Sequence, residues 1–165
     1  LAGFVVGFLL VEEREERILD AVAVTPRGTS GFLRHRTLLP AIIGGLASLF
    51  VGVATGSMSA GRLMVVATLA AGSATLVTLT MVAVARDRVQ ALAVSKLTGL
   101  LLVAAIAFQF VEGLWRLPLG AFPSTWIVEA VAGESHVAAF GIGSVTHLVA
   151  GGLLIGRVRR TLRGR

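Results

Sequence analysis

Charge is scarce in this sequence: only 15% of its 165 residues are Asp, Glu, Lys or Arg, against roughly a quarter in a soluble globular domain. Over half of it, 55%, is hydrophobic, and its mean hydropathy is +0.87. A water-soluble core cannot absorb that much apolar surface. Cysteine is absent altogether, which removes disulfide frameworks and thiolate metal sites. The single lysine, Lys96, follows no glycine-rich phosphate loop, so no ATPase site is expected within the chain. No His-Glu-x-x-His occurs, and His35, His136 and His147 fall in separate regions, so neither a catalytic metal nor a bound cofactor is expected.

The run from Leu63 to Ala85 also lacks the alternation of apolar and polar residues over about ten positions that marks a transmembrane barrel strand. The apolar runs of the sequence are continuous: Leu38 to Ser57, Leu63 to Ala85, Leu92 to Gly113 and Val137 to Gly156. Backbone polar groups in hydrocarbon need internal partners, so runs of about 20 residues read as helices crossing ~30 Å of bilayer. A shorter run, Leu1 to Val11, stops at Glu12 and covers about 16 Å as a helix, half a bilayer. The expected fold is an all-α polytopic transmembrane bundle across residues 1–165, with about five crossings. The first crossing is incomplete, as in a chain truncated at its N-terminus.

The formal net charge of +6 does not point to nucleic acid, because the basic residues are not interleaved with aromatics on one soluble face. They sit between the apolar runs. With residues 12–36 placed in the cytoplasm, the cytoplasmic pieces hold Arg14, Arg17, Arg27, Arg34, Arg36, Arg86, Arg88, Lys96, Arg157, Arg159, Arg160, Arg163 and Arg165. Only Arg62 and Arg116 fall outside, so the positive-inside rule predicts this orientation, with the C-terminus cytoplasmic. Small residues recur four apart at Gly3 and Gly7, Gly52 and Gly56, and Gly152 and Gly156, spacing that favours close helix packing.

Between the first two runs, Glu12 to Val24 reads as one amphipathic helix, with Val11, Ile18, Leu19 and Val22 on one side. Glu13 and Arg17 are spaced as an i,i+4 pair, and Thr25-Pro26 stops the helix. A mixed segment from Arg27 through Arg34 to Arg36 returns the chain to the membrane. The pattern of Glu13-x-x-Glu16, Ile18-Leu19 and Val24-Thr25-Pro26 followed by a basic return resembles the coupling region of type-2 ATP-binding-cassette (ABC) exporter permeases. A second patch, Val89-Gln90-Ala91-Leu92-Ala93-x-x-Lys96-Leu97-x-Gly99 with Trp115, Pro118, Gly120 and Pro123-x-x-Trp126, resembles the fluoroquinolone export permease branch of that family.

The resemblance implies a bacterial inner-membrane subunit that pairs, as a homodimer or heterodimer of permeases, with a separate cytoplasmic ATPase binding ATP and Mg. Glu13, Glu16, Arg17, Thr25, Pro26, Arg27 and Arg34 would then form the ATPase-coupling segment, and short re-entrant or interfacial helices would occupy the extracytoplasmic loop, 114–135. Family permeases have six spans, so the resemblance leaves this chain short of the first and part of the second. Gly28 and Gly31 depart from the pattern, weakening any helix where the family places a short coupling helix.

Gln109 and Glu112 lie one turn apart at the outer end of a span, with Trp115 and Trp126 suited to an interface belt. These four are the expected pathway or exit-side residues. Lys96 is expected to snorkel to the headgroups, and His147 to bond a neighbouring helix at mid-span. Two further classes stay open. Gly28-Thr29-Ser30-Gly31 matches the Gly-x-Ser-Gly of rhomboid intramembrane proteases, and His147 with Gly151 and Gly152 resembles their histidine helix. Ser30 and His147 would form a dyad only if they met. A non-transporting structural membrane protein is the other class. Replacing Glu13 and Glu16 with Lys is expected to abolish export while leaving membrane insertion intact. Full efflux from that variant, measured in everted vesicles, would defeat the coupling assignment.

Overall fold

The computed structural model describes residues 1–23, 28–56 and 58–163, and every regular element among them is helical. Four helices are long and apolar enough to cross a membrane: 34–55 within α3 (Gly28–Thr55), α4 (Ala60–Val84), α5 (Arg88–Phe110) and 136–158 within α8 (His136–Arg163). They coincide with the four apolar runs of the sequence. The shorter α1 (Ala2–Glu15) packs beside them. A 3-10 turn (Gly113–Trp115), α6 (Arg116–Gly120) and α7 (Pro123–Ala132) fill the segment before α8, the short helices expected there.

The boundaries follow from local chemistry. Asp87 ends extended at φ −142° and accepts from the Gln90 N–H at 2.8 Å, while Gln90 Oε1 accepts from the Arg86 N–H at 3.0 Å. The first bond satisfies a donor that the first turn of α5 leaves open, and the second ties the residue before the cap to the helix. Ser59 caps α4 in the same sense through the Arg62 N–H, and Pro123 occupies the first turn of α7, where its missing N–H costs nothing.

Three expectations need correction. The helix expected from Glu12 is not continuous: it breaks at Arg17, which adopts the left-handed conformation at φ 59°, and resumes as α2 (Ile18–Ala23). Such a conformation costs a side-chain-bearing residue about 1–2 kcal/mol, offset where charged contacts hold α1 upstream of the break. Glu13 accordingly pairs with Arg36 of α3 instead of Arg17. Secondly, Gly28 and Gly31 do not keep the chain from becoming helical, since α3 begins at Gly28 and continues unbroken for 28 residues into the apolar run. Thirdly, Gly152 and Gly156 bring no helix close, because a Cβ at either position would meet nothing within 4 Å. Pro40 lies inside α3 and is fully buried, with Thr75 Oγ1 of α4 donating to Thr37 O nearby at 3.3 Å. Neighbouring helices commonly stabilise a membrane proline in this manner.

α4 is the central helix, packing against α1, α3, α5, α7 and α8. Small residues on its neighbours let them approach it. A Cβ at Gly3 would overlap Ala74 O, one at Gly7 would lie 2.6 Å from Met81 Sδ, and one at Gly44 would lie 2.9 Å from Ala74 Cβ. Thr78 Oγ1 donates to Gly3 O at 3.0 Å across the first of these contacts. The exterior, not the core, differs from a soluble domain's: Val11, Met81 and Ala91 are buried inside, while Phe50, Phe110 and Leu148 are more than 70% exposed on the perimeter. Lipid rather than water suits that perimeter.

Gly44→Leu should destabilise the bundle by roughly 1–3 kcal/mol through overpacking. Gly99→Leu, at a position open within 4 Å, should stay within about 0.5 kcal/mol of wild type. Thermal unfolding in detergent, followed by tryptophan fluorescence, checks both.

Candidate functional site: the charged end of the bundle

One end of the bundle gathers charged residues from several helices. α1 brings Glu12, Glu13, Arg14, Glu15 and the adjoining Glu16 to this end, α3 brings Arg36, and the start of α5 brings Arg88. Arg14 is buried, and its guanidinium donates to Val82 O at 3.1 Å and to Ala85 O at the C-terminal end of α4. A helix leaves its last carbonyls without partners and carries partial negative charge there. Arg14 supplies both the donors and the opposite charge.

The remaining charges bind α1 to two other helices. Arg36 of α3 pairs with Glu13 Oε1, the two side chains being 29% and 13% exposed, and its guanidinium also lies 5.4 Å from the centre of the Phe32 ring. Arg88 of α5 meets Glu12 at 2.9 Å, Glu16 at 3.0 Å and Glu15 at 3.5 Å. These last contacts are half-exposed, so each is worth little alone, but one guanidinium serving three carboxylates fixes where α5 starts relative to α1. Glu13 and Glu16, singled out from the sequence, are thus engaged within the chain. Arg17 and Arg34 are exposed, and Arg34 O accepts from Thr37 Oγ1 at 3.1 Å. Thr25, Pro26 and Arg27 lie outside the described residues.

At the opposite end, α7 is tied to the membrane helices. Arg62 of α4 donates to Val131 O at 3.3 Å and Gly133 O at 3.1 Å. Gln109 Nε2 donates to Glu129 Oε2 at 3.3 Å, and Arg116 approaches the same oxygen at 3.6 Å while lying 4.2 Å over the Phe108 ring. Trp126 Nε1 donates to Gly120 O at 2.8 Å, and its ring meets Phe108 at 5.9 Å between centres. Gln109 and Trp126 are therefore brought into one cluster, whereas Glu112 is exposed at the start of the 3-10 turn. Trp115 belongs to that turn, and its side chain lies outside the described residues. Glu129 and Arg116 were missed as members of this cluster. The signal available for Glu129 was a lone acid within an otherwise uncharged helix.

The third polar contact is at mid-depth. His147 Nε2 is 2.7 Å from Ser73 Oγ of α4, and His147 Nδ1 is 2.7 Å from Gly143 O one turn back. A carbonyl can only accept, so Nδ1 carries the proton and Nε2 accepts from the serine hydroxyl. His147 thus bonds a neighbouring helix, as expected, and its serine partner is Ser73 rather than Ser30. Ser30 stands in the first turn of α3, toward the charged end. No metal-holding group of three or more His, Asp or Glu side chains occurs among the described residues. Lys96 is exposed near the start of α5.

The fold and its polar contacts define a multi-pass helical membrane protein whose charged and polar side chains join helices to one another. The chain belongs to the family described as fluoroquinolones export permease protein Rv2686c-like, whose model matches residues 1–155. No curated protein and no solved structure matches it. Family membership makes the chain a transport permease of an export system.

Charge exchange tests the Glu13–Arg36 contact directly. Glu13→Arg and Arg36→Glu should each lower stability, and the double variant should recover a coupling energy of roughly 1–2 kcal/mol. A double-mutant cycle of thermal unfolding in detergent measures it, and a coupling indistinguishable from zero would remove this contact from the account.

Proposed function

We propose that this chain is the membrane-spanning permease subunit of an ATP-driven ABC exporter in the bacterial inner membrane. A separate cytoplasmic ATPase, binding ATP and Mg, would work on the charged end. One observation carries the reading: the elbow between α1 and α2 is wired to three further helices at once, through Arg36 to α3, Arg14 to α4 and Arg88 to α5. Force applied to the segment 12–36 would reach those helices through these contacts, of which the Arg14 bonds are buried and the Arg36 pair part-buried. A plain solvated loop would pass on little of it.

In this reading Glu13 and Glu16 act as internal latches behind the docking surface. Thr25, Pro26, Arg27 and the exposed Arg17 and Arg34 would present that surface to the ATPase. The cluster of Gln109, Trp126 and Glu129, with Glu112 and Trp115 beside it, stands at the exit side. The family's own description names fluoroquinolones, so the substrate class is a small amphipathic drug-like compound, moved outward by a dimer of permeases. Residues 12–36 and the C-terminus are cytoplasmic in this orientation, as the distribution of basic residues supports.

Affinity purification of the chain from its native membrane, with mass spectrometry of co-purifying proteins and an ATPase assay, tests the assignment. A Walker-motif ATPase should come with the wild type. It should be lost from Glu13→Arg and recovered when Arg36→Glu restores the latch. Repeated recovery of the wild-type chain without any ATPase would overturn the reading.

A further inference from the structure

Phe108 near the end of α5 is buried, and a guanidinium helps to cover it: Arg116 of α6 lies 4.2 Å over the ring centre. Trp126 of α7 stands beside the same ring, 5.9 Å away between centres and tilted by 58°. Both rings lie over Gly120, where a Cβ would be 3.5 Å from Trp126 and 3.7 Å from Phe108. On the other side of the guanidinium is the Glu129 carboxylate, 3.6 Å away and 23% exposed, with Gln109 Nε2 donating to the same oxygen. Gly133 leaves room for that carboxylate, because a Cβ there would overlap Glu129 Oε1. An aromatic face and a partly buried carboxylate on one cation are the chemistry by which proteins hold ammonium groups.

Arg116 fits this place poorly. Its approach to Glu129 is longer than a hydrogen bond, and its Nε is buried without a partner. A buried donor left unpaired costs free energy, which the arginine recovers when its side chain turns out to water. The side chain is already 43% exposed, so the way out is short. The backbone of α6 can stay where it is, since Thr125 Oγ1 donates to Leu119 O and Trp126 Nε1 to Gly120 O, both at 2.8 Å. A methylated ammonium in the same place has no donor to leave unpaired. Leu117, next to Arg116 in the chain and 71% exposed, adds apolar surface for the rest of such a molecule.

We infer that Phe108, Trp126 and Glu129 form a binding site for an organic cation, a quaternary or protonated amine carrying an apolar group, and that the Arg116 side chain fills this site until such a molecule displaces it. A bare metal ion would need several oxygen ligands, and the site supplies one carboxylate and two rings. An organic acid would meet the charge of Glu129. If Arg116 served only to fasten α6, removing it would give the site no added affinity for a cation; if it fills the site, removing it frees the site. The inference goes beyond the export reading, and binding measured on the chain alone separates the two, since neither an ATPase nor transport enters the measurement.

Titration of the purified full chain in detergent with benzyltrimethylammonium, at fixed ionic strength, tests the inference. Trp115→Phe serves as the reference protein, leaving Trp126 as the sole tryptophan and its fluorescence as the readout. The reference should bind benzyltrimethylammonium roughly tenfold more tightly than uncharged benzyl alcohol. Arg116→Gln should raise affinity for the cation by roughly tenfold, the gain from removing an occupant present about nine-tenths of the time. Glu129→Gln should abolish the preference for the cation. Phe108→Leu, which keeps an apolar side chain in the core, should weaken cation binding and decides the matter should Glu129→Gln fail to fold. Equal binding of the two probes to the reference would overturn the inference, as would unchanged or weaker cation binding by Arg116→Gln. A preference undiminished in Glu129→Gln or Phe108→Leu would overturn it too. Displacement of the probe by an equal concentration of potassium would do the same, assigning Glu129 to an inorganic cation.

Discussion

In a hydrocarbon solvent no hydrophobic force draws one apolar helix toward another, so the bundle depends on how closely backbones can approach α4. Gly3 and Gly7 of α1 and Gly44 of α3 set that approach, each at a point where a side chain would collide with α4. Thr78 and Thr75 then use the short separation to donate to carbonyls of α1 and α3. Dispersion between closely packed atoms supplies the attraction. With α4 held on several sides, its two ends become the fixed points of the molecule, and the polar clusters form there.

The two ends differ in how they are tied. At the charged end the contacts are ionic or charge-assisted, and they converge on the short stretch Glu12 to Glu16. At the opposite end Arg62, Gln109 and Arg116 reach backbone carbonyls of the α7 segment and the Glu129 carboxylate, fastening a short helix that is too brief to hold itself. Between them the only long-range polar contact at mid-depth that involves an ionisable side chain, among the described residues, is Ser73 with His147. Both of its partners are satisfied, which lets a polar pair persist at low dielectric without a charge. The molecule thus keeps its ionic chemistry at the surfaces and its interior neutral.

Arg14 illustrates why a charge in a sequence does not reveal its role. By position it belongs with Glu12, Glu13, Glu15 and Glu16 in what reads as a solvated charge run. In the fold it is buried against the end of α4, while its neighbours on either side in sequence stay at the surface or pair with Arg36 and Arg88. Helical geometry separates adjacent residues by about 100°, so one residue of a charged run can point inward as the rest point out. The break at Arg17 belongs to the same arrangement. An uninterrupted helix was the reasonable reading of an amphipathic pattern, but periodicity carries no record of contacts made by residues 70 positions away.

Sequence by itself determined the solvent, the element type and the span limits, because a bilayer demands long apolar helices and tolerates few alternatives. The four long helices coincide with four apolar runs. It also carried enough of the Glu13-x-x-Glu16 and Trp126 patterns to indicate the family. Tertiary structure alone decided which glycines pack and which lie open, that Glu13 answers Arg36, that Glu129 joins Gln109, and that Ser73 is the serine beside His147. Those are pairings between helices far apart in the chain, set by their relative rotation and axial shift. Hydropathy fixes that a helix crosses, but two apolar helices can meet in many rotations at nearly equal energy until close packing and a few polar contacts select one.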